Sequence, residues 1–152
     1  MTPPPTNVLA PCAGRVLPLS DVPDPVFAGE MVGPGVAIDP VPGRTTVVSP
    51  IAGTVVKVHP HAFVVLSTDG LGVLVHLGIN TVRLEGAGFE VLVEQGTTVE
   101  AGAPMVTWDP STMTGDGIST VVPVVVMDAP KGSVSSSLTG SDATAGDVLF
   151  TL

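Results

Sequence analysis

The sequence predicts an all-β domain, and three features of its composition carry that prediction. Hydrophobic residues make up 44% of the chain but aromatics only 3%, so a core must be assembled from Val, Leu, Ile and Ala. The 18 glycines and 16 prolines are too many for long helices, whose interiors both residues interrupt. Val-rich runs bounded by Gly and Pro read instead as short strands joined by tight turns. At 152 residues the chain fits one domain with a buried core.

Met1 to Asn7, Met-Thr-Pro-Pro-Pro-Thr-Asn, reads as a short flexible tail and lacks the basic and apolar regions of a signal peptide. A single domain over residues 8–152 follows. Within it, Ala10-Pro11-Cys12-Ala13-Gly14-Arg15-Val16 is echoed 39 positions later by Ser49-Pro50-Ile51-Ala52-Gly53-Thr54-Val55. Each copy reads as a turn, with Gly at the bend, feeding a strand. A second theme, paired glycines before an apolar strand, runs from Gly96 to Val106 and more loosely from Ala143 to Leu149, with a fainter instance from Gly29 to Ile38. The duplication points to two similar β-motifs packed face to face, with repeats too few and too diverged for a solenoid. Strands are expected near 7–10, 14–19, 35–39, 45–49, 53–59, 62–67, 71–76, 104–108, 120–126 and 147–151. Helix is limited to a turn or two at 80–84, 88–93 or 109–114, and the Ser-rich stretch from Gly132 to Ser137 is a loop or an edge strand.

Fourteen acids against five bases give a net charge of −9. That balance disfavours nucleic acid and anionic membranes, which need clustered Lys and Arg, and suits a basic protein partner. Cys12 is the only cysteine, so no internal disulfide can form and no oxidising compartment is implied. The longest apolar run, Val121 to Met127, is far below the roughly 20 residues of a spanning helix. A soluble, cytoplasmic protein is expected.

The chemistry-bearing residues are histidines. Gly72-Val73-Leu74-Val75-His76-Leu77-Gly78-Ile79-Asn80-Thr81-Val82 sets an imidazole in an apolar β-type run, and His59-Pro60-His61-Ala62-Phe63 supplies two more. Period-2 alternation puts Leu74 and His76 on one face, and groups His61 with Phe63 and Val65. Adjacent strands would bring His61 and His76 together in a shallow apolar groove, walled in part by Phe63 and Leu74. A neutral imidazole is a good nucleophile towards phosphorus. A second imidazole can hydrogen-bond the phosphoryl oxygens, and an apolar rim would keep water away. The competing interpretation is that these are ordinary half-buried histidines with backbone partners.

Several blocks occur in one order along the chain: Pro11-x-x-Gly14, Asp21-Val22-Pro23-Asp24-Pro25-Val26-Phe27-Ala28, Val32-Gly33-x-Gly35-Val36-Ala37-Ile38, Pro50-x-x-Gly53-Thr54-Val55, His61-Ala62-Phe63, Val75-His76-Leu77-Gly78-Ile79-x-Thr81-Val82, Gly86-x-Gly88-Phe89 and Thr120-Val121-Val122-Pro123-Val124-Val125. Together they resemble the glucose-type enzyme IIA (EIIA) of the bacterial phosphoenolpyruvate-dependent sugar phosphotransferase system, from about residue 8 to the C-terminus. The resemblance implies an antiparallel β-sandwich of duplicated hybrid motifs. It implies that His76 takes a phosphoryl group from phospho-HPr and passes it to a cysteine of the EIIB domain of a membrane sugar permease, with His61 as the helper. It places Val26, Phe27, Phe63 and Leu74 on the apolar rim that contacts partners, and Asp24 as an acid near that rim, suited to basic HPr. No cofactor is required. Regulatory target proteins are further candidate partners.

The chain departs from the family pattern at two positions. Asn80 stands where an Asp is typical, which removes a charge from the partner surface. His59 stands where relatives often carry a small hydroxyl residue bonded to the helper histidine. No EIIC segment and no EIIB cysteine motif are recognisable, so a stand-alone EIIA is expected.

Zinc binding at His61 and His76 is conceivable by the same resemblance, but two or three histidines without a designated acid fall short of a dedicated site. The runner-up function is a zinc hydrolase of the LytM kind using His59, His61 and His76. Its upstream His-x-x-x-Asp is missing here, since the nearest string, His76 to Asn80, comes downstream and ends in an amide. A biotinyl or lipoyl carrier needs a lysine at a hairpin tip, whereas Lys57 falls in an expected strand and Lys131 in a Gly-Ser loop.

Overall fold

A computed structural model of the protein describes residues 6–152. Thirteen strands are found among the described residues: β1 (Asn7–Leu9), β2 (Gly14–Pro18), β3 (Gly35–Pro40), β4 (Thr45–Val48), β5 (Gly53–His59), β6 (Ala62–Leu66), β7 (Gly72–His76), β8 (Phe89–Val91), β9 (Thr98–Val99), β10 (Pro104–Trp108), β11 (Val122–Val126), β12 (Asp142–Ala143) and β13 (Val148–Thr151). Eight of them form one sheet in the order β12-β2-β3-β11-β7-β6-β5-β9. A three-stranded sheet, β4-β10-β8, and a two-stranded ribbon, β1-β13, complete the architecture. The strand pairings in these sheets are all antiparallel, so the fold is the expected antiparallel β-sandwich.

The main core lies between the inner face of the large sheet and the two smaller ones. Val16, Val55, Phe63, Val75 and Val124 meet Val47, Val106 and Trp108 from the three-stranded sheet and Val8 and Phe150 from the ribbon, all buried. Burying aliphatic surface at roughly 25 cal/mol per Å² is what holds such a Val-rich sandwich together. Trp108 stacks on Phe89 with ring centroids 5.8 Å apart. Cys12 is fully buried in this core, and burial pushes its thiol up to about 12. It therefore stays protonated and packs as a small apolar residue.

The repeat noticed in the sequence is a contact as well as a pattern. Leu9 N–H donates to the Pro50 carbonyl at 2.9 Å, and Val48 N–H donates to the Pro11 carbonyl, also at 2.9 Å. These are the same bond seen from each copy, because both donor and acceptor are displaced by 39 positions. Gly14 and Gly53 correspond in the same register, and both are required for space: an added Cβ would fall 2.2 Å from the Asp39 carbonyl oxygen and 2.3 Å from that of Leu66. The two turn motifs are thus halves of a pseudo-symmetric pair.

The outer face of the large sheet carries a second, smaller apolar cluster of Leu19, Val22, Phe27, Ala37, Ile79, Val121 and Val125. It is covered by a 3₁₀ turn at Leu19–Asp21 and by a short helix, α1 (Pro25–Ala28). The alternation of Val124 inward and Val125 outward leaves β11 buried on both faces, as expected of a near-continuous Val run in a central strand.

The local expectations hold in part. The stretch 88–93, considered for helix, is β8, whose Phe89 and Val91 pair with Trp108 and Val106 of β10. The turns at 80–84 and 109–114 are 3₁₀ helices, Thr81–Leu84 and Pro110–Thr112. Both β9 and β12 span only two residues, too short to leave a periodic signal. The Ser-rich stretch at 132–137 is loop. Of the expected tail, residues 1–5 lie outside the described residues, while Asn7 opens β1 opposite Thr151.

Candidate active site

His76 is the last residue of β7, and its position follows from where the ladder ends. The β7–β11 pairing stops at Val75 opposite Val124. The next residue of β11 is Pro123, which has no N–H to continue the ladder. On the other side, Ala62 of β6 lies opposite His76, and Leu77 N–H donates to the His61 carbonyl at 2.6 Å. The main chains of the two histidines are therefore tied together.

Beyond His76 the chain turns sharply at Gly78, φ +88°. A Cβ here would lie 2.5 Å from Thr81 Cγ2 and 2.7 Å from the Ser119 carbonyl oxygen, so only glycine fits. The turn is locked by an isolated bridge between Ile79 and Ser119 and by Thr81 Oγ1, which donates to the Leu77 carbonyl at 2.7 Å. Its consequence is chemical. The Gly78 carbonyl comes back against Nδ1 of His76. A carbonyl can only accept, so Nδ1 must carry the proton and the lone pair of the neutral ring is left on Nε2.

Around that lone pair stand two more rings. The His61 ring lies edge-on to His76, centroids 5.2 Å apart at 71°. Phe27 of α1 covers His76 from another side at 5.2 Å and 57°. Asp24 caps α1, accepting the Val26 N–H at 2.8 Å, with Pro25 at the first helical position. An Asp before a Pro is a strong helix-start signal. Val26, 43% exposed, and half-buried Leu74 complete the apolar surroundings.

Burial lowers the proton affinity of His76 below the ordinary imidazole value, opposed by the bond to the Gly78 carbonyl and by the charge of Asp24. His61 is lowered too, first by burial, then by repulsion from His76 and His59. Both rings are held neutral near pH 7, as a nitrogen nucleophile requires.

Phe63, expected in the groove wall, is instead fully buried in the main core. Period-2 counting grouped it with His61, but His61 belongs to the turn before β6 rather than to the strand. Opposite His76 sits Ala62, and the face they share continues through Val64 and Leu74. Asn80 adopts the left-handed region at φ 63°, and its Nδ2 donates to the Gly117 carbonyl at 2.8 Å. The amide at this position therefore does structural work that a carboxylate could not.

The donor set for a metal is small. Among the described residues no three His, Cys, Asp or Glu side chains gather into a group that could hold a metal ion. The His59 and His61 rings stack, 5.8 Å apart at 22°, so their in-plane lone pairs run alongside each other rather than converging. With Nδ1 of His76 already bonded, His61 and His76 offer half a tetrahedral site.

The structure thus defines an antiparallel β-sandwich that carries a pair of imidazoles on the outer face of its large sheet. The family model described as "phosphoenolpyruvate-dependent sugar phosphotransferase system, EIIA 1" matches residues 6–131. The "PTS system glucose-specific EIIA component" of Bacillus anthracis is 38% identical over 142 residues, covering 92% of this chain and 85% of that protein. The "PTS system glucose-specific EIIBCA component" of Corynebacterium glutamicum is 38% identical over 148 residues, covering 96% of this chain but 21% of that protein. The solved structure of glucose permease IIA from Mycoplasma capricolum superposes with a TM-score of 0.88 at 32% identity, covering 98% of this chain and 96% of that one. The chain belongs to the EIIA type 1 family of the sugar phosphotransferase system, and is a component of phosphoryl transfer. Among the described residues no helix is long and apolar enough to cross a membrane.

Proposed function

We propose that the protein is a phosphocarrier in which Nε2 of His76 accepts a phosphoryl group from phospho-HPr and donates it to a cysteine of an EIIB domain. The observation that carries this reading is the bond between Nδ1 of His76 and the Gly78 carbonyl, which presents a free Nε2 lone pair beside His61. In the accepting step Nε2 attacks phosphorus in line, a P–N bond forms, and the bond to the donor histidine of HPr breaks. No proton has to leave the nucleophile, and Nδ1–H stays on the Gly78 carbonyl. The phosphorylated ring is then cationic. When a cysteine thiolate attacks phosphorus, the ring departs as neutral imidazole, a good leaving group.

His61 supports the transfer by hydrogen-bonding the phosphoryl oxygens as charge redistributes. Phe27 and Leu74 exclude water that would hydrolyse the phosphohistidine. Asp24 and the net charge of −9 favour the approach of a basic HPr surface. The Corynebacterium glutamicum relative, named as an EIIBCA component, supports an EIIB domain as acceptor. A cytoplasmic location fits partners of this kind.

The test is reconstitution with phosphoenolpyruvate, enzyme I and HPr, followed by intact-mass spectrometry of wild type and His76→Ala. One acid-labile phosphoryl group on wild type and none on the variant is the expected result. Unmodified wild type in the presence of charged HPr would refute the assignment.

A further inference from the structure

We propose that His59 is a positioning residue for His61, its ring being the platform that holds the helper imidazole edge-on to His76. This deepens the phosphocarrier reading and rests on it. The main chain of His61 is fixed by the bond from Leu77, but its ring is not. The hydrogen bonds of the site engage His76, Asn80, Thr81 and Ser119, and among the described residues none reaches the rings of His59 or His61.

The His61 ring is therefore oriented by packing alone. On one side is the edge of His76, at 5.2 Å and 71°. A second contact is the face of His59, at 5.8 Å and 22°. Without that second contact the ring is free to swing towards solvent.

The His59 side chain is exposed, but the main chain that carries it is anchored. His59 ends β5 opposite Ala62, so His59 and His61 flank the hairpin turn on either side of Pro60, whose φ the pyrrolidine ring fixes. The turn is backed by the loop at Gly86, where an added Cβ would meet Pro60 Cγ at 3.4 Å.

A hydroxyl residue in place of His59 could restrain His61 only through a hydrogen bond. A stacked ring restrains its plane while leaving the N–H of His61 free to donate to the phosphoryl oxygens. The titratable groups that act on His61 are His76 on β7 and His59 itself, and Asp24 at the start of α1 acts in turn on His76. His59 also makes His61 harder to protonate at rest, so the helper stays neutral until the phosphoryl dianion arrives.

The test compares wild type, His59→Phe and His59→Ala by NMR titration of the His61 ring, and by separate rates of acceptance from phospho-HPr and donation to EIIB. His59→Phe keeps the stack and removes the ionisable ring that opposes protonation of His61. It should donate at close to the wild-type rate, with His61 titrating at higher pH because the repelling partner is gone. His59→Ala loses the platform. Donation should slow about threefold to tenfold, the range an aromatic pair contributes, with acceptance changing less and the His61 ring averaging over rotamers. Donation by His59→Phe as slow as by His59→Ala would overturn the proposal, as would a wild-type rate in His59→Ala. The NMR readings need no phosphoryl group. If wild type accepts none, the phosphocarrier assignment fails on its own, while unaltered His61 shifts and titration in His59→Ala would still refute the stacking role separately.

Discussion

Gly78→Ala strikes the feature on which the chemistry turns, the carbonyl that fixes the tautomer of His76. Gly78 sits at φ +88°, and a left-handed conformation costs a residue with a Cβ about 1–2 kcal/mol. The new methyl would also stand 2.7 Å from the Ser119 carbonyl oxygen. That atom is backbone held by the Ile79–Ser119 bridge and cannot swing aside as a side-chain tip would. The turn must therefore shift, taking the Gly78 carbonyl away from Nδ1. Losing a hydrogen bond of about 1 kcal/mol net lets the proton distribute between Nδ1 and Nε2. Acceptance of phosphate should fall about threefold to tenfold, with a modest loss of thermal stability. The assay pairs the rate of phosphorylation by phospho-HPr with nitrogen NMR of the His76 ring in the unphosphorylated protein. A variant that keeps a wild-type rate while showing a mixed tautomer would refute the reasoning, because a blocked Nε2 cannot attack.

His61→Gln should still accept phosphate but donate it poorly to EIIB, measured as two separate single-turnover rates; equal loss of both steps contradicts the helper role. Asn80→Asp restores a carboxylate at the partner surface but removes the donor to the Gly117 carbonyl, a loss only partly offset by attraction to Arg83, whose guanidinium donates to the nearby Asp116 carbonyl at 3.3 Å. It should destabilise the loop by about 1 kcal/mol and quicken association with HPr at low salt, and a rate independent of salt would count against the charge argument. Stability should also depend on pH through the two rings. Both are harder to protonate folded than unfolded, so the unfolded chain binds more protons. Their contribution is fully present above about pH 6.5 and is lost as the pH falls below that towards the depressed folded-state values. Denaturant midpoints should drop less steeply between pH 7.5 and 5.5, roughly the titration range of imidazole, in a His61→Gln, His76→Gln double variant than in wild type.

Much of this was legible in the sequence because it depends on local chemistry or on repetition. The echo of residues 10–16 at 49–55 encodes a pair of equivalent turns, and those turns meet across the pseudo-symmetry axis. His76 stood out because an imidazole in a Val-Leu run is an odd choice for packing alone, and the resemblance to the EIIA family sharpened that reading. The errors have physical causes as well. Alternation fails wherever a strand is interrupted, and the Pro60–His61 turn set Phe63 on the wrong face. Asp24-Pro25 is a complete helix-start signal, but a helix of four residues carries no periodicity to draw attention to it. The two-residue strands β9 and β12 exist only through their partners. The role of the Gly78 carbonyl was hidden because a backbone atom leaves no mark of its own, although the glycine two positions after His76 was the available hint. The stack of His59 on His61 depends on how one proline turn is built, which spacing alone does not determine.

The central claim is that Nε2 of His76 is the atom that carries the phosphoryl group, and phosphorus-coupled nitrogen NMR of the phosphorylated protein tests it most directly. The account predicts a single phosphorylated imidazole, His76, with phosphorus coupled to Nε2 and a proton retained on Nδ1. Phosphorus coupled to Nδ1 of His76, or to either nitrogen of His61, would contradict it.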